Sequence, residues 1–243
     1  MHESADPAPG APQLYRAGDV ECRGELYRPV GVANGRAVLV VHEADGIGGN
    51  VRRHSRRLAA IGYTVLAADM HGGGRVLEGD EMRDALDRFR SDPDHLRSRV
   101  CAALEALARL GPFGPDRLAA IGYCFGGFAV LELARDGAPV AAVASFHGLL
   151  TTRRPAGPAT ISARVAAFTG ARDPLVPPED VASFQAEMMR ADADWQMAIY
   201  GQALHSFTNP DVDQLGDPRM RYDARAHAQS WDALLGFLDD ALA

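Results

Sequence analysis

A strand that passes into a helix through a single residue is the tightest constraint in this sequence. Leu118-Ala119-Ala120-Ile121-Gly122-Tyr123 is apolar enough to lie inside a sheet, and a helical pattern opens at Phe125, which leaves Cys124 alone to turn the chain. So sharp a turn strains its central residue and presses the strand and helix backbones together, so its neighbours must be small. Gly122, Gly126 and Gly127 meet that demand. The turn lifts Cys124 into solvent reach at the end of a strand.

The remaining chain repeats the strand and helix alternation. Strands are expected over 19–29, 36–41, 63–69, 116–123, 140–146, 163–169 and 195–200. Helices are expected from Val51 to about Gly62, over 78–110 with a break at Asp92-Pro93, and over 125–135, 179–190 and 224–242. Val51, Leu58, Ala59 and Ile61 mark the apolar side of the first helix, and Trp231, Leu234, Leu235 and Leu238 that of the last. Strand, helix and strand joined by short loops imply a mostly parallel sheet with helices on both faces, the α/β class. Residues 1–16, rich in Pro, Ala and Gly, read as a loose arm before a single domain over 17–243.

Composition narrows the function classes. With 25 Lys and Arg against 32 Asp and Glu, the formal charge of −7 offers no basic field for a phosphate backbone, so nucleic acid is not an expected partner. No apolar window is long enough to span a bilayer and the first ten residues lack a leader pattern, so neither a membrane nor a secreted setting is expected. Three cysteines, Cys22, Cys101 and Cys124, without a CxxC pair suggest neither a disulfide framework nor a zinc site, and a reducing cytoplasm fits them.

The Gly122-Tyr123-Cys124-Phe125-Gly126 turn is a nucleophile elbow with Cys in the place of Ser. At a helix start, free backbone N–H groups and the positive end of the dipole favour a thiolate, and the N–H of Phe125 can donate to an oxyanion. An elbow of this kind calls for an acid after a later strand and a histidine after the last one. Asp173, in Ala171-Arg172-Asp173-Pro174, follows by 49 residues, and His205, in Leu204-His205-Ser206-Phe207, by a further 32. The spacing lets all three side chains meet above the sheet edge, with His205 taking the thiol proton and Asp173 fixing its tautomer.

These residues resemble the dienelactone hydrolase family, cysteine hydrolases on an α/β-hydrolase fold, and the likeness runs through roughly residues 18–242. The resemblance rests on Val40-Val41-His42-Glu43-Ala44-Asp45-Gly46, on the elbow, on Arg172-Asp173 and on His205-Ser206-Phe207. It implies that Glu43 contacts the resting cysteine and accepts its proton when substrate enters, and that the N–H of Ala44 completes the oxyanion hole with Phe125. It also implies two arginines that grip a substrate carboxylate. Arg75, in Met70-His71-Gly72-Gly73-Gly74-Arg75, is the candidate for one, but Asn209 occupies the place of the other. Asn cannot replace the charge and the bidentate geometry of Arg, so a small dienelactone acid is not the expected natural substrate.

His71, Tyr123 and Asn209 join Arg75 as candidate substrate contacts, while the lone histidines His71 and His147 lack metal-ligand spacing. Gly72-Gly73-Gly74 reads as at most a hinge for a lid over 70–95. The expected activity is hydrolysis of an activated carboxylic ester or lactone through a thioester acyl-enzyme. No metal or organic cofactor is implied, and a monomer or small homo-oligomer is expected. The alternative from another class is a ligand-binding or redox-sensing protein that keeps Cys124 as a reactive thiol.

Overall fold

A computed structural model describes residues 9–242 of the chain. Eight strands form one sheet in the order β1-β2-β4-β3-β5-β6-β7-β8. They are β1 (Ala11–Ala17), β2 (Val20–Tyr27), β3 (Ala37–Val41), β4 (Thr64–Ala68), β5 (Leu118–Tyr123), β6 (Ala142–Phe146), β7 (Arg164–Gly170) and β8 (Trp195–Tyr200). From β4 through β8 every neighbour is parallel, while β1 and β2 make an antiparallel hairpin whose second strand runs antiparallel to β4. The fold is that of the α/β hydrolases.

The apolar runs become central strands because both of their faces are covered. Along β3, Ala37, Leu39 and Val41 pack into one core layer and Val38 and Val40 into the other, the period of two that a pleated strand imposes. Helices α1 (Gly49–Ala60) and α6 (Ala224–Ala241) cover one face, with Val51, Leu58, Trp231 and Leu234 buried. The other face carries α2 (Gly79–Ser91), α3 (Pro93–Ala108), α4 (Phe125–Arg135) and α5 (Pro178–Arg190), through Phe89, Leu96, Leu131 and Phe184. Asp92 both ends α2 and caps α3, its side chain accepting from the N–H of His95 ahead of Pro93 at the first helical position.

Two expectations need correction here. The arm assigned to residues 1–16 overlaps β1, in which Pro12, Leu14 and Arg16 face Glu25, Arg23 and Glu21 of β2; backbone pairing orders a segment whose composition looked loose. Residues 1–8 lie outside the described residues. Ile61 is 48% exposed, because α1 ends one residue before it and the chain turns outward at Gly62.

Candidate active site

The site stands at the carboxyl ends of β3, β5, β7 and β8, where loops of a parallel sheet open a crevice. Cys124 occupies the turn between β5 and α4 with φ 54 and ψ −116, a region that a non-glycine residue enters only under strain. The close approach is visible at its neighbours. A Cβ on Gly122 would sit 2.0 Å from the carbonyl oxygen of Gly126, and one on Gly126 would sit 2.2 Å from that of Val41. Glycine at both positions is what lets α4 begin where it does.

A continuous row of hydrogen bonds joins the three residues expected to act together. His205 Nε2 lies 3.1 Å from Cys124 Sγ, and His205 Nδ1 lies 2.8 Å from Asp173 Oδ2. Asp173 Oδ1 accepts from the N–H of Leu175 at 2.8 Å, which fixes the carboxylate from behind. The backbone of His205 is itself paired, donating to Arg219 and accepting from Arg221. Burial works against a charge on the His205 ring, yet the Cys124 sulfur and the Asp173 carboxylate outweigh it and push its pKa up to about 10.

Beneath Cys124 lies a histidine without an assigned part in the sequence reading. His147, fully buried at φ 41, accepts the Cys124 N–H at its Nδ1 (3.1 Å), and the same N–H reaches the carbonyl of Phe146. Its Nε2 therefore carries the proton and donates to Thr208 Oγ1 at 2.8 Å. Burial, reinforced by His205, holds His147 well below the usual histidine range, so it stays neutral. A strand-end histidine beside a predicted elbow was the available signal for it.

Glu43 follows β3 and lines the same cleft as Cys124. Its Oε2 accepts from Asn209 Nδ2 at 3.0 Å, and Asn209 Oδ1 in turn accepts from Arg53 Nη2 at 3.3 Å. Burial, with the Asp45 carboxylate nearby, pushes Glu43 up to about 7 against the pull of His205 and Arg53. The carboxylate is thus held by Asn209 while the sulfur is held by His205, where the resemblance implied a contact between Glu43 and the resting cysteine. Ala44 also lines the cleft, its carbonyl fixed by His71 Nε2 at 2.9 Å.

Three candidate substrate contacts are placed elsewhere. Tyr123 is fully buried on the α1 and α6 face, its ring 4.4 Å from that of His54, because strand alternation turns its side chain away from the crevice that Cys124 enters. Arg75 turns outward, pairing with Glu81 at 2.7 Å and donating to the carbonyls of His71 and Gly72. His71 is 7% exposed and serves the Ala44 backbone. Asn209 does line the cleft.

The glycine run is anchored rather than free to swing. Gly72, Gly73 and Gly74 all have positive φ, and the loop wraps the buried Asp69 carboxylate, which accepts from the N–H groups of His71, Gly72, Gly74 and Arg23 at 2.7–3.1 Å. The cleft holds about 500 Å³. Its apolar walls, Leu77, Met82, Val212, Leu215 and Met220, come from α2, the loop before it and the segment after His205. Sequence reading missed them because they stand in polar surroundings with no periodic pattern.

A dienelactone hydrolase-like promiscuous phosphotriesterase from metagenomic libraries is 36% identical and superposes with a TM-score of 0.86 over 95% of this chain and 97% of its own. A Synechocystis protein named "Putative carboxymethylenebutenolidase" is 26% identical over 88% of this chain and 89% of its own. An uncharacterized Caenorhabditis elegans protein, K02A2.1, is 35% identical over 61% of this chain and 95% of its own. The model of the dienelactone hydrolase family matches residues 22–242, a span that holds every strand from β3 to β8 and every residue of the hydrogen-bonded row. The chain is therefore a hydrolase of the dienelactone hydrolase family.

Proposed function

We propose that the chain hydrolyses activated carboxylic esters or lactones with Cys124 as nucleophile, His205 as proton carrier and Asp173 as its orienting acid. The observation that carries this reading is the Cys124, His205 and Asp173 row, with contacts of 3.1 and 2.8 Å, at the first turn of α4. An unperturbed cysteine is only a few per cent thiolate at neutral pH, so a neighbouring imidazolium is the means of raising that fraction.

The Cys124 thiolate adds to the carbonyl carbon and its π electrons move onto oxygen. The N–H groups at the start of α4 have no intrahelical acceptor, so that of Phe125, with that of Ala44 across the cleft, serves the oxyanion. Each such donor contributes about 3 kcal/mol to lowering the barrier. Collapse of the adduct breaks the bond to the leaving oxygen, which takes the proton from His205; a stable enolate or phenolate departs first as the anion, and His205 then gives its proton to solvent, so that it is neutral in either case. Water then adds to the thioester while His205 takes its proton, the carbon–sulfur bond breaks, and the carboxylic acid leaves with the thiolate restored. A thiolate is a better leaving group than an amide nitrogen, so adducts on peptides revert and activated esters, enol lactones and thioesters are the fitting substrates.

The test is steady-state hydrolysis of an aryl ester, an enol lactone and an acyl thioester by the wild type and by Cys124→Ala. A neutral phosphotriester belongs in the panel, given the description of the metagenomic relative. The expected result is many turnovers per site, lost by about 10⁴-fold or more in the variant. Release of one equivalent followed by arrest would instead support the sensing or binding reading, and an equally active variant would remove Cys124 from the mechanism.

A further inference from the structure

We propose that the cleft above Cys124 accepts uncharged acyl groups and excludes those bearing a carboxylate. The proposal rests on Cys124 being the acylated nucleophile, and it concerns what the surrounding walls admit. Four carboxylates, of Glu43, Asp45, Glu78 and Asp211, line this cleft, and among the described residues no Lys or Arg does.

Of the arginines near lining residues in sequence, Arg53, Arg75 and Arg219 are paired with carboxylates, and Arg221, beyond Met220, does not line the cleft. Arg53 spends its Nη2 on Asp211 and Asn209, so it offsets one wall carboxylate, and it does not itself line the cleft. Arg75 is held outside by Glu81 and two backbone carbonyls. No ion pair joins Asp45 or Glu78 to a cation among the described residues. The Asn209 amide, a neutral donor on the cleft wall, already donates to Glu43.

An entering carboxylate would therefore shed water beside Asp45 and Glu78, which no cation offsets, inside a partly enclosed space where repulsion is screened less than in bulk solvent. An uncharged chain meets Leu77, Met82, Val212 and Met220 instead and releases ordered water from both surfaces. The lining thus does more than omit a clamp for anions. It repels them.

Mono-4-nitrophenyl adipate and its methyl ester share a leaving group and chain length and differ by one negative charge. With the wild-type protein, kcat/KM for the methyl ester is expected to exceed that for the acid by about 100-fold, mainly through KM. Raising the salt from about 20 mM to about 500 mM is expected to narrow the gap several-fold, because the Debye length shrinks. Glu78→Gln is expected to narrow it as well. Equal or better turnover of the acid, or a gap that neither salt nor Glu78→Gln moves, overturns the proposal. If the wild type turns over neither ester, the cysteine hydrolase reading is what fails.

Discussion

At its first turn α4 presents Cys124, strained at φ 54 and paired with His205, together with N–H groups that have no partner in the helix. Two turns further on, the same helix carries Glu132 and Arg135, buried and fully engaged. Glu132 accepts from Arg97 and Arg135, Arg135 binds Glu187 through two nitrogens and the carbonyl of Leu150 through a third contact, and Glu187 also accepts from the N–H of Ala156. Two buried cations and two buried anions offset one another there, with the exposed Asp136 also beside Arg97, and α3, α4, α5 and the chain after β6 are pinned together. The contrast shows a division of labour within one helix. The end proposed to react is the one where polar groups keep an unsatisfied valence toward the cleft, and the far end is closed by its own ion pairs.

The contrast can be broken from either side. Asp173→Asn keeps the shape of the side chain but removes the charge that orients His205. A fall in kcat of about 10³ to 10⁴-fold is expected, with the free energy of unfolding moved by about 1 kcal/mol or less; steady-state kinetics beside urea titration measures both. Arg135→Met does the opposite. It leaves Glu187 without a cation in the core and Glu132 with Arg97 alone, and a loss of about 3–5 kcal/mol is expected by urea titration, while the protein that remains folded keeps kcat within about threefold.

Glu43→Gln sharpens the comparison, because Glu43 is a cleft group whose charge works against folding. Its pKa is about 7 in the folded chain, above the ordinary carboxylate value, so the folded state holds the proton longer and stability declines as pH rises from the ordinary value through about 7. The variant is therefore expected to gain up to about 3 kcal/mol over the wild type at pH 8 and essentially nothing at about pH 3, where both folded and unfolded carboxyls are protonated. Paired denaturation curves at the two pH values check it, and a gain that is independent of pH would place the effect outside the Glu43 charge.

The legible parts of this chain were those written in local patterns. The bounds of α4 and β8 match their expected spans, since each is closed by a sharp change in residue type. The meeting of Cys124, Asp173 and His205 was legible from their order after successive strands. The side chains that close the cleft were less so. Tyr123 was misplaced because adjacency to Cys124 in sequence means opposite faces on a strand, and Arg75 because its charge is settled by Glu81, a helix contact that loop register does not reveal. Pairing of β1 with β2 was hidden because a hairpin edge rich in Pro and Ala carries little apolar alternation.

The Asp69 carboxylate bears on how the chain could be cut. It takes three donors from the 71–74 loop and one from Arg23 of the hairpin, while Tyr15 of β1 closes on the Asp69 backbone at 2.9 Å. A fragment that began at β3 would keep the whole hydrogen-bonded row yet lose the hairpin side of this buried anchor. Two pieces divided in the exposed segment between β2 and β3 have, in Asp69, a specific point of recognition from which to reassemble, and regain of turnover on mixing would report the moment at which the hairpin docks.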